Sequence, residues 1–513
     1  MNLIFMRHGE ATDNVREVIS DKEIYWSVLT EQGKASVLES LEGLPAVIDK
    51  IYVSPFPRTI QTAHYVFLKY PKTEVVIENR LHEINNGKYS GKKNNDDLDQ
   101  KRIKQIQGDY FVRFGEYGEN KFDIEIRLCE FLYDVYTNNF CDNTILIVSH
   151  GSITSYMKRI LNIKTPHIKT GKIEEFVHVD FHPLFEYMEV LEKVKDTKIK
   201  ERVQLVRSLN IRESLKNNLI KMVKKEFNNI ELSDYVFLNF INGLQSTNLK
   251  LIEPSHFEKG VILVCFYHNF ESFAEKWINH YIDIGIRNFV LVDNHSTDCS
   301  TEILKKYSET VHISFWSIHE NYDRYKMCGW KQQILEYYGV GQQYLMVDSD
   351  ELFIYENYQN ISFEDYLKKN PIPFIKSLML DVYTNKKLFD GTLEDFKYVD
   401  RGTYKISTNV SYYEKLYGGP RYRVFGMCPS LQKIPFVSYT GNEIFIDQHY
   451  CYPWNLNKEA RLCSYLLHYE FLFENRKNYC LCTEEKQHIS QSDSISFFDK
   501  DISIPIDKID FKF

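Results

Sequence analysis

The sequence predicts a mixed α/β protein with two domains joined by a helical connector. Three observations carry that expectation. The chain has 513 residues, about three times a typical domain of roughly 150, so two or three independent cores are expected. Short apolar runs of strand character alternate with amphipathic helical stretches, and the alternation restarts near residue 258. Between the two series, from about Glu192 to Phe227, the chain turns basic and helical. Its apolar residues Leu215, Leu219, Met222, Val223 and Phe227 recur at helical spacing.

In the first series NLIFMRH, DKIYVSP, TEVVIEN and NTILIVSH read as strands with helix-like segments between them, the pattern of a parallel or mixed sheet. The second series opens with GVILVCFY at 260–267, continues into a helix over ESFAEKWINHYIDIGI, and returns to the strand NFVLVDN. A further strand, QYLMVD at 343–348, ends in the acidic cluster Asp348, Ser349, Asp350 and Glu351. No internal repeat interrupts the series. The expected partition is therefore a first domain over 1–190, a connector over 191–257 and a second domain over 258–513.

Composition narrows the function classes. Apolar residues make up 43% of the chain, with 36 Tyr and 34 Phe, enough to fill several cores and unlike a disordered chain. A formal net charge of -8 gives no general attraction for phosphate backbones, which argues against nucleic acid as a partner. Ten Cys stand at irregular spacings, and the close pair Cys480 and Cys482 lacks the second pair of a zinc site, so reduced thiols are expected. The first residues, MNLIFMRHGE, contain no basic leader, and no apolar run reaches the roughly 20 residues of a membrane span. A cytoplasmic protein is expected. The basic connector reads first as a solvated face and leaves peripheral membrane contact open.

Arg7-His8-Gly9-Glu10 follows the first strand, so His8 stands at a strand's carboxyl end, where open α/β sheets place their ligands. Three further elements follow later strands: Ser54 to Ala63 with Arg58, Leu81-His82-Glu83 with Gly87 and Gly91 beyond it, and Ser149-His150-Gly151. Together they resemble the histidine phosphatase superfamily, also called phosphoglycerate mutase-like, over roughly residues 1–190. The resemblance implies that His8 attacks a phosphomonoester, that Arg7, Arg58 and His150 hold the phosphoryl oxygens, and that Glu83 donates the proton. It also assigns Asn14 a phosphate or substrate contact. Two guanidinium forks and a second imidazole can neutralise three equatorial oxygens without a metal, so no cofactor is expected here. One departure is Ser90, where many members carry an acidic residue just before the second Gly.

Asp348-Ser349-Asp350 closes an apolar strand, and two carboxylates at that spacing can hold a divalent ion that bridges a nucleoside diphosphate. The neighbouring motifs are His268 to Glu271, Glu275-Lys276-Trp277-Ile278, Val292 to Asp298, Gly418-Gly419-Pro420-Arg421 and Leu431-Gln432-Lys433-Ile434-Pro435. With them, the region from about 258 to 480 resembles family 2-like GT-A glycosyltransferases, nearest to those related to family 92. That resemblance implies a Rossmann-like nucleotide half with Asp293 on the nucleoside, Asp348 on the ribose and Asp350 on the metal, which would be manganese or magnesium. His449 and His468 are the candidates to complete the metal shell, with His449 taken first. Lys331 and Arg421 are candidates for phosphate oxygens, with solvent-exposed roles as the alternative. Asp381 and Asp447 are candidates for a general base.

The combined expectation is two Rossmann-like α/β domains, phosphoglycerate mutase-like and then GT-A. The enzyme would be bifunctional, of bacterial capsule or surface polysaccharide biosynthesis. Its partners would be a phosphomonoester substrate, a nucleotide-sugar donor and a glycan or small-molecule acceptor. The alternatives make the first domain a phosphomutase or a non-catalytic sensor of phosphorylated ligands that regulates the transferase, or the second a nucleotidyltransferase.

Overall fold

The run NLIFMR forms β1 (Asn2–Arg7), the first strand of a five-stranded sheet. The others are β2 (Lys50–Val53), β3 (Glu74–Ile77), β4 (Thr144–Ser149) and β5 (Ile173–Phe176), in the order β3-β2-β4-β1-β5. Only β5 runs antiparallel to its neighbour. The four expected strands are all present. β1 and β4 are central and covered on both faces, which is why their sequences are unbroken apolar runs rather than alternating ones. One face packs Ile4, Met6, Leu146 and Val148 against Val37, Ala63 and Val66. The other packs Leu3, Phe5, Ile145 and Ile147 against Leu128, Phe131, Ile153 and Met157. The helix Lys121–Asn138, which supplies Leu128 and Phe131, starts on a capping box between Asn120 and Asp123.

The structure is a computed structural model and describes residues 1–21, 27–94, 100, 110–115, 118–225, 234–386, 392–407, 415–425, 430–471, 498–509 and 511. It divides into two compact units, Met1–Gln204 with Glu226–Tyr235, and Leu205–Lys225 with Val236–Phe513. The stretch read as a connector holds the helices His182–Ser208, Glu213–Lys225 and Asp234–Leu244. Leu215, Leu219, Met222 and Val223 are buried, as their spacing predicts, whereas Phe227 lies outside the described residues. Residues 205–225 and 236–257 pack within the second unit. A Cβ at Gly243 would lie 2.1 Å from the Lys326 carbonyl, so that helix crosses the helix Arg324–Tyr338 at glycine distance.

The second unit is built on a nine-stranded sheet. Its strands are β6 (Lys250–Glu253), β7 (Val261–Tyr267), β8 (Asn288–Asp293), β9 (His312–Ser317), β10 (Gln343–Asp348), β11 (Glu351–Tyr355) and β12 (Phe374–Asp381), with β16 (Gln432–Ser438) and β17 (Arg461–His468). Short strands β13 (Tyr398–Asp400), β14 (Lys405–Ser407), β15 (Lys415–Tyr417) and β18 (Ser503–Pro505) form two small ribbons beside it. The order is β11-β17-β12-β16-β10-β7-β8-β9-β6, with β10, β7, β8 and β9 parallel. The chain builds outward from β7 to β9 and then returns to lay β10 on the other side of β7. That reversal opens a crevice at the carboxyl ends of β7 and β10, where such sheets bind ligands. The sequence series named β7, β8 and β10. Among the described residues no helix is long and apolar enough to cross a membrane.

Candidate active sites

The parallel register pairs Arg7 with Ser149, so the residues that follow, His8 and His150, emerge side by side with ring centroids 5.3 Å apart. His8 Nδ1 lies 2.7 Å from the Gly9 carbonyl, which can only accept, so Nδ1 carries the proton and Nε2 presents its lone pair. Arg58 Nε donates to that lone pair at 3.2 Å. Arg58 Nη2 donates to the Ser20 carbonyl at 2.9 Å and to His150 Nδ1 at 3.2 Å. A guanidinium cannot accept, so the neutral His150 carries its proton on Nε2, 2.8 Å from Ser54 Oγ. Burial first, and the Arg58 charge second, hold both imidazoles well below the ordinary histidine range.

Arg7 Nη1 donates to the Ile168 carbonyl at 3.1 Å and to His167 Nε2 at 3.0 Å, and its Nε is a buried donor without a hydrogen-bond partner. Glu83 accepts from the Ile84 amide at 2.9 Å and stands 3.8 Å from His150 Nδ1. Asn14 accepts from the Ala11 amide at 3.0 Å, which turns the chain after the His8 loop. Arg7, His8, Asn14, Arg58 and Glu83 line one cavity of about 430 Å³, with His150 buried against His8. Six dispersed candidates thus meet in one place. Gly9 is required there: a Cβ would lie 2.6 Å from the Gly33 carbonyl, where the helix Glu31–Leu41 packs on the loop.

Residues 3–176 match the family model described as histidine phosphatase superfamily (branch 1). The N-terminal domain is a histidine phosphatase superfamily domain. Similar solved structures include the α-ribazole phosphatase of Shigella flexneri, at 22% identity over 34% of this chain and 89% of that one, TM-score 0.29. A mycobacterial glucosyl-3-phosphoglycerate phosphatase matches at 18% identity over 34% and 91%, TM-score 0.29. YhfR of Bacillus stearothermophilus matches at 23% identity over 34% and 89%, TM-score 0.30. A search of curated proteins found no match.

Sequence reasoning missed the residues that hold this phosphatase site in shape. Asp13 lies 3.9 Å from Arg58. The Gly9 amide donates to Thr62 Oγ1 at 3.1 Å, tying the His8 loop to the helix that carries Arg58. Arg127 donates to Glu119 at 2.7 Å and to the His82 carbonyl at 3.1 Å, while Glu119 accepts from the Asn85 amide at 2.9 Å. That pair fixes the segment presenting Glu83. Burial works to raise the Glu119 carboxyl, and Arg127, His82 and the Asn85 amide together outweigh it and hold the group low. Apart from Arg127 with Glu119, eight residues apart, these pairings span more than thirty residues and leave no local spacing to detect.

In the second unit Asp348 ends β10 at the crevice. A cavity of about 210 Å³ there is lined by Tyr267, His268, Asn294, Tyr322, Asp348 and Gln448, among others. Both Asp348 oxygens are already engaged: Lys331 Nζ lies 3.2 Å from one and Lys433 Nζ 2.6 Å from the other. Lys433 also donates to buried Glu351 at 2.8 and 2.9 Å. Burial works to raise the Asp348 carboxyl, but Lys331 and Lys433 hold it far below the usual range. Lys331 is thus a buried partner of Asp348, not the solvent-exposed residue allowed by its sequence. Asp293 ends β8 and accepts from the Ser296 amide at 2.9 Å, with its neighbour Asn294 on the cavity wall.

Asp350 is brought together with His468 rather than with His449. His468 Nε2 lies 3.4 Å from Asp350 and 3.2 Å from Glu470, and one atom from each of the three falls within 4.8 Å of the others. His468 Nδ1 donates to Asp381 at 2.9 Å, which turns Nε2 toward the two carboxylates. Arg421 Nε donates to the other Asp381 oxygen at 2.8 Å and is itself buried, so it stands behind Asp381. His449 is turned elsewhere, with Nδ1 donating to the Gln432 carbonyl at 2.9 Å, and Asp447 accepts from the His449 amide. Glu470 was not foreseen; it is two residues from His468, a spacing visible once His468 is chosen. Cys480 and Cys482 lie outside the described residues.

Proposed function

We propose that the phosphatase domain hydrolyses a phosphomonoester through a phosphohistidine on His8 Nε2. The observation that carries this reading is the unprotonated Nε2 of His8, oriented by the Arg58 Nε–H and set in a cavity that also receives Arg7 and Glu83. The buried, unpartnered Nε of Arg7 suits a phosphoryl oxygen, and the Arg58 fork suits another. His8 attacks phosphorus in line, the phosphorus–oxygen bond to the alcohol breaks, and Glu83 supplies the proton that the leaving oxygen needs. Water then cleaves the phosphorus–nitrogen bond and restores the neutral imidazole. Every group in this scheme belongs to the protein, so hydrolysis of p-nitrophenyl phosphate should persist in excess chelator and vanish in His8→Ala. Turnover retained by that variant overturns the assignment.

For the second unit the reading is a glycosyltransferase of the GT-A kind that uses a nucleotide-sugar donor and a glycan or small-molecule acceptor, in surface polysaccharide assembly. It is supported by the crevice between β7 and β10, with Asp348 at its edge and Asp350 beside His468 and Glu470. Asp350, His468 and Glu470 offer the oxygen and imidazole donors that manganese or magnesium accepts. Bound there, such an ion would neutralise the departing nucleoside diphosphate. Asp381 holds the His468 tautomer, which makes it a positioning residue rather than the general base. The ion requirement is tested by calorimetry of uridine and guanosine diphosphates with and without manganese. Equal affinity in wild type and Asp350→Asn under both conditions overturns it.

A further inference from the structure

The Arg7 guanidinium is aimed by a side chain that lies outside the phosphate pocket. Arg7 Nη1 meets His167 Nε2 at 3.0 Å, and His167 Nδ1 meets Ser155 Oγ at 2.9 Å. Arginine only donates, so Nε2 of His167 must accept and the imidazole proton must sit on Nδ1. Ser155 Oγ then accepts from that Nδ1 and donates its own proton to the Gly151 carbonyl at 2.9 Å. Every donor in this chain has one acceptor, which leaves one tautomer. Gly151 opens the helix that follows His150, and a Cβ there would lie 2.5 Å from His167 Nε2, so glycine at 151 lets the imidazole reach Arg7. The segment before His167 is pinned in turn, because Lys158 donates to the Pro166 carbonyl and to Glu174, and Thr165 donates to Glu174 at 3.1 Å.

We propose that His167 is a positioning residue of the phosphatase domain, which as the neutral Nδ1-H tautomer fixes Arg7 for the phosphoryl group and releases it on protonation. An imidazolium would turn an N–H toward the Arg7 N–H and add a second positive charge beside it. The charged groups that face the ring are Arg7 and Lys158, which disfavour its protonation, and Glu174, which favours it. Partial burial first, then those two cations, hold the largely exposed imidazole below its ordinary range, so the aiming contact is intact at neutral pH and fails on acidification. Phosphate affinity should therefore weaken at low pH through the enzyme, over and above the protonation of the ligand.

The inference rests on the reading that Arg7 holds the phosphoryl group, and its test separates the two. Four full-length proteins are compared: wild type, His167→Gln, His167→Phe and Arg7→Ala. The readouts are KM and kcat for p-nitrophenyl phosphate and the inhibition constant of vanadate, between pH 5 and pH 8. Glutamine can accept from Arg7 but does not titrate, so His167→Gln should stay within about threefold of wild type at pH 8 and show a smaller acid loss of affinity. Phenylalanine fills the space without accepting. His167→Phe should raise KM and the vanadate constant about five- to tenfold, the size of one ordinary hydrogen bond, because His167 is exposed to solvent, with kcat less affected. If Arg7→Ala weakens vanadate binding but His167→Phe does not, or if His167→Gln keeps the full acid loss, the positioning role is wrong. If Arg7→Ala binds vanadate normally, the phosphate role of Arg7 itself fails.

Discussion

Lys433 offers the sharpest test of how the acidic turn of the second unit is held. Its ammonium is buried and bonded to Asp348 at 2.6 Å and to Glu351 at 2.8 and 2.9 Å, while Lys331 reaches only Asp348. Replacing Lys433 with Met keeps most of the stem packing and removes the cation bonded to Glu351. Breaking a buried pair by removing one partner costs about 3 to 5 kcal/mol. For a large domain that corresponds to a fall in Tm of about 6 to 20 °C. Burial raises the Glu351 carboxyl even beside Lys433, and the loss of that cation can only raise it further. A carboxyl with a raised folded pKa binds more protons folded than unfolded, so its penalty is relieved as pH falls. The variant should therefore be most destabilised near pH 8 and recover part of the loss by pH 5. Trp277, Trp316, Trp330 and Trp454, four of the five tryptophans, lie in the second unit, so thermal unfolding followed by tryptophan fluorescence reports mainly on it. A Tm within 1 °C of wild type at pH 8, or a deficit that grows toward pH 5, would refute the reasoning.

In the phosphatase domain, Arg58→Lys keeps the charge but loses at least one of the contacts to His8 and His150. At about 1.5 to 3 kcal/mol for a hydrogen bond to a charged group, kcat/KM should drop roughly 10- to 150-fold, and a loss below threefold would show that charge alone suffices. Because burial and Arg58 hold His8 neutral well below the ordinary range, the nucleophile should show no acid limb near pH 6.5. The same depression means that the folded state binds fewer protons than the unfolded one, so stability should fall as pH drops below about 6.5. Rate profiles on a substrate with a pH-independent charge, and urea melts at pH 5 and pH 7, read the two effects separately. In the second unit His468→Ala should abolish manganese-dependent binding of nucleoside diphosphate while His449→Ala retains it, measured by calorimetry; the reverse order would restore His449 as the ligand.

The phosphatase half was legible because its candidates sit next to strands whose sequences are unmistakable. His8 and His150 each follow a run buried on both faces, and a parallel sheet must bring the ends of neighbouring central strands together. Arg58 and Glu83 came with motifs of their own. What stayed hidden was the scaffolding: Thr62 beneath Gly9, Glu119 with Arg127 behind Glu83, and His167 against Arg7. These contacts join residues 45 to 160 positions apart, or hold a segment through such a contact, and any polar residue on the right turn could have filled the role.

The choice between His449 and His468 shows what a linear reading lacks. Both histidines follow apolar runs, and the linear reading takes first His449, which is nearer to Asp350 by 19 residues. Sheet order reverses that preference. β17 lies between β11 and β12, antiparallel to one and parallel to the other, so its last residue, His468, is in register with both Glu351 and Asp381. Asp350 immediately precedes Glu351, and Glu470 follows His468 by two residues, which carries both to the same edge. The last strand of the nine-stranded sheet in chain order therefore supplies an imidazole to the cluster opened more than a hundred residues earlier. Asp381, an apparent candidate for general base, is drawn behind it by the same register. An amino acid's role at such a site follows from the neighbour that the sheet assigns to its strand, and that assignment depends on long-range pairing absent from local periodicity.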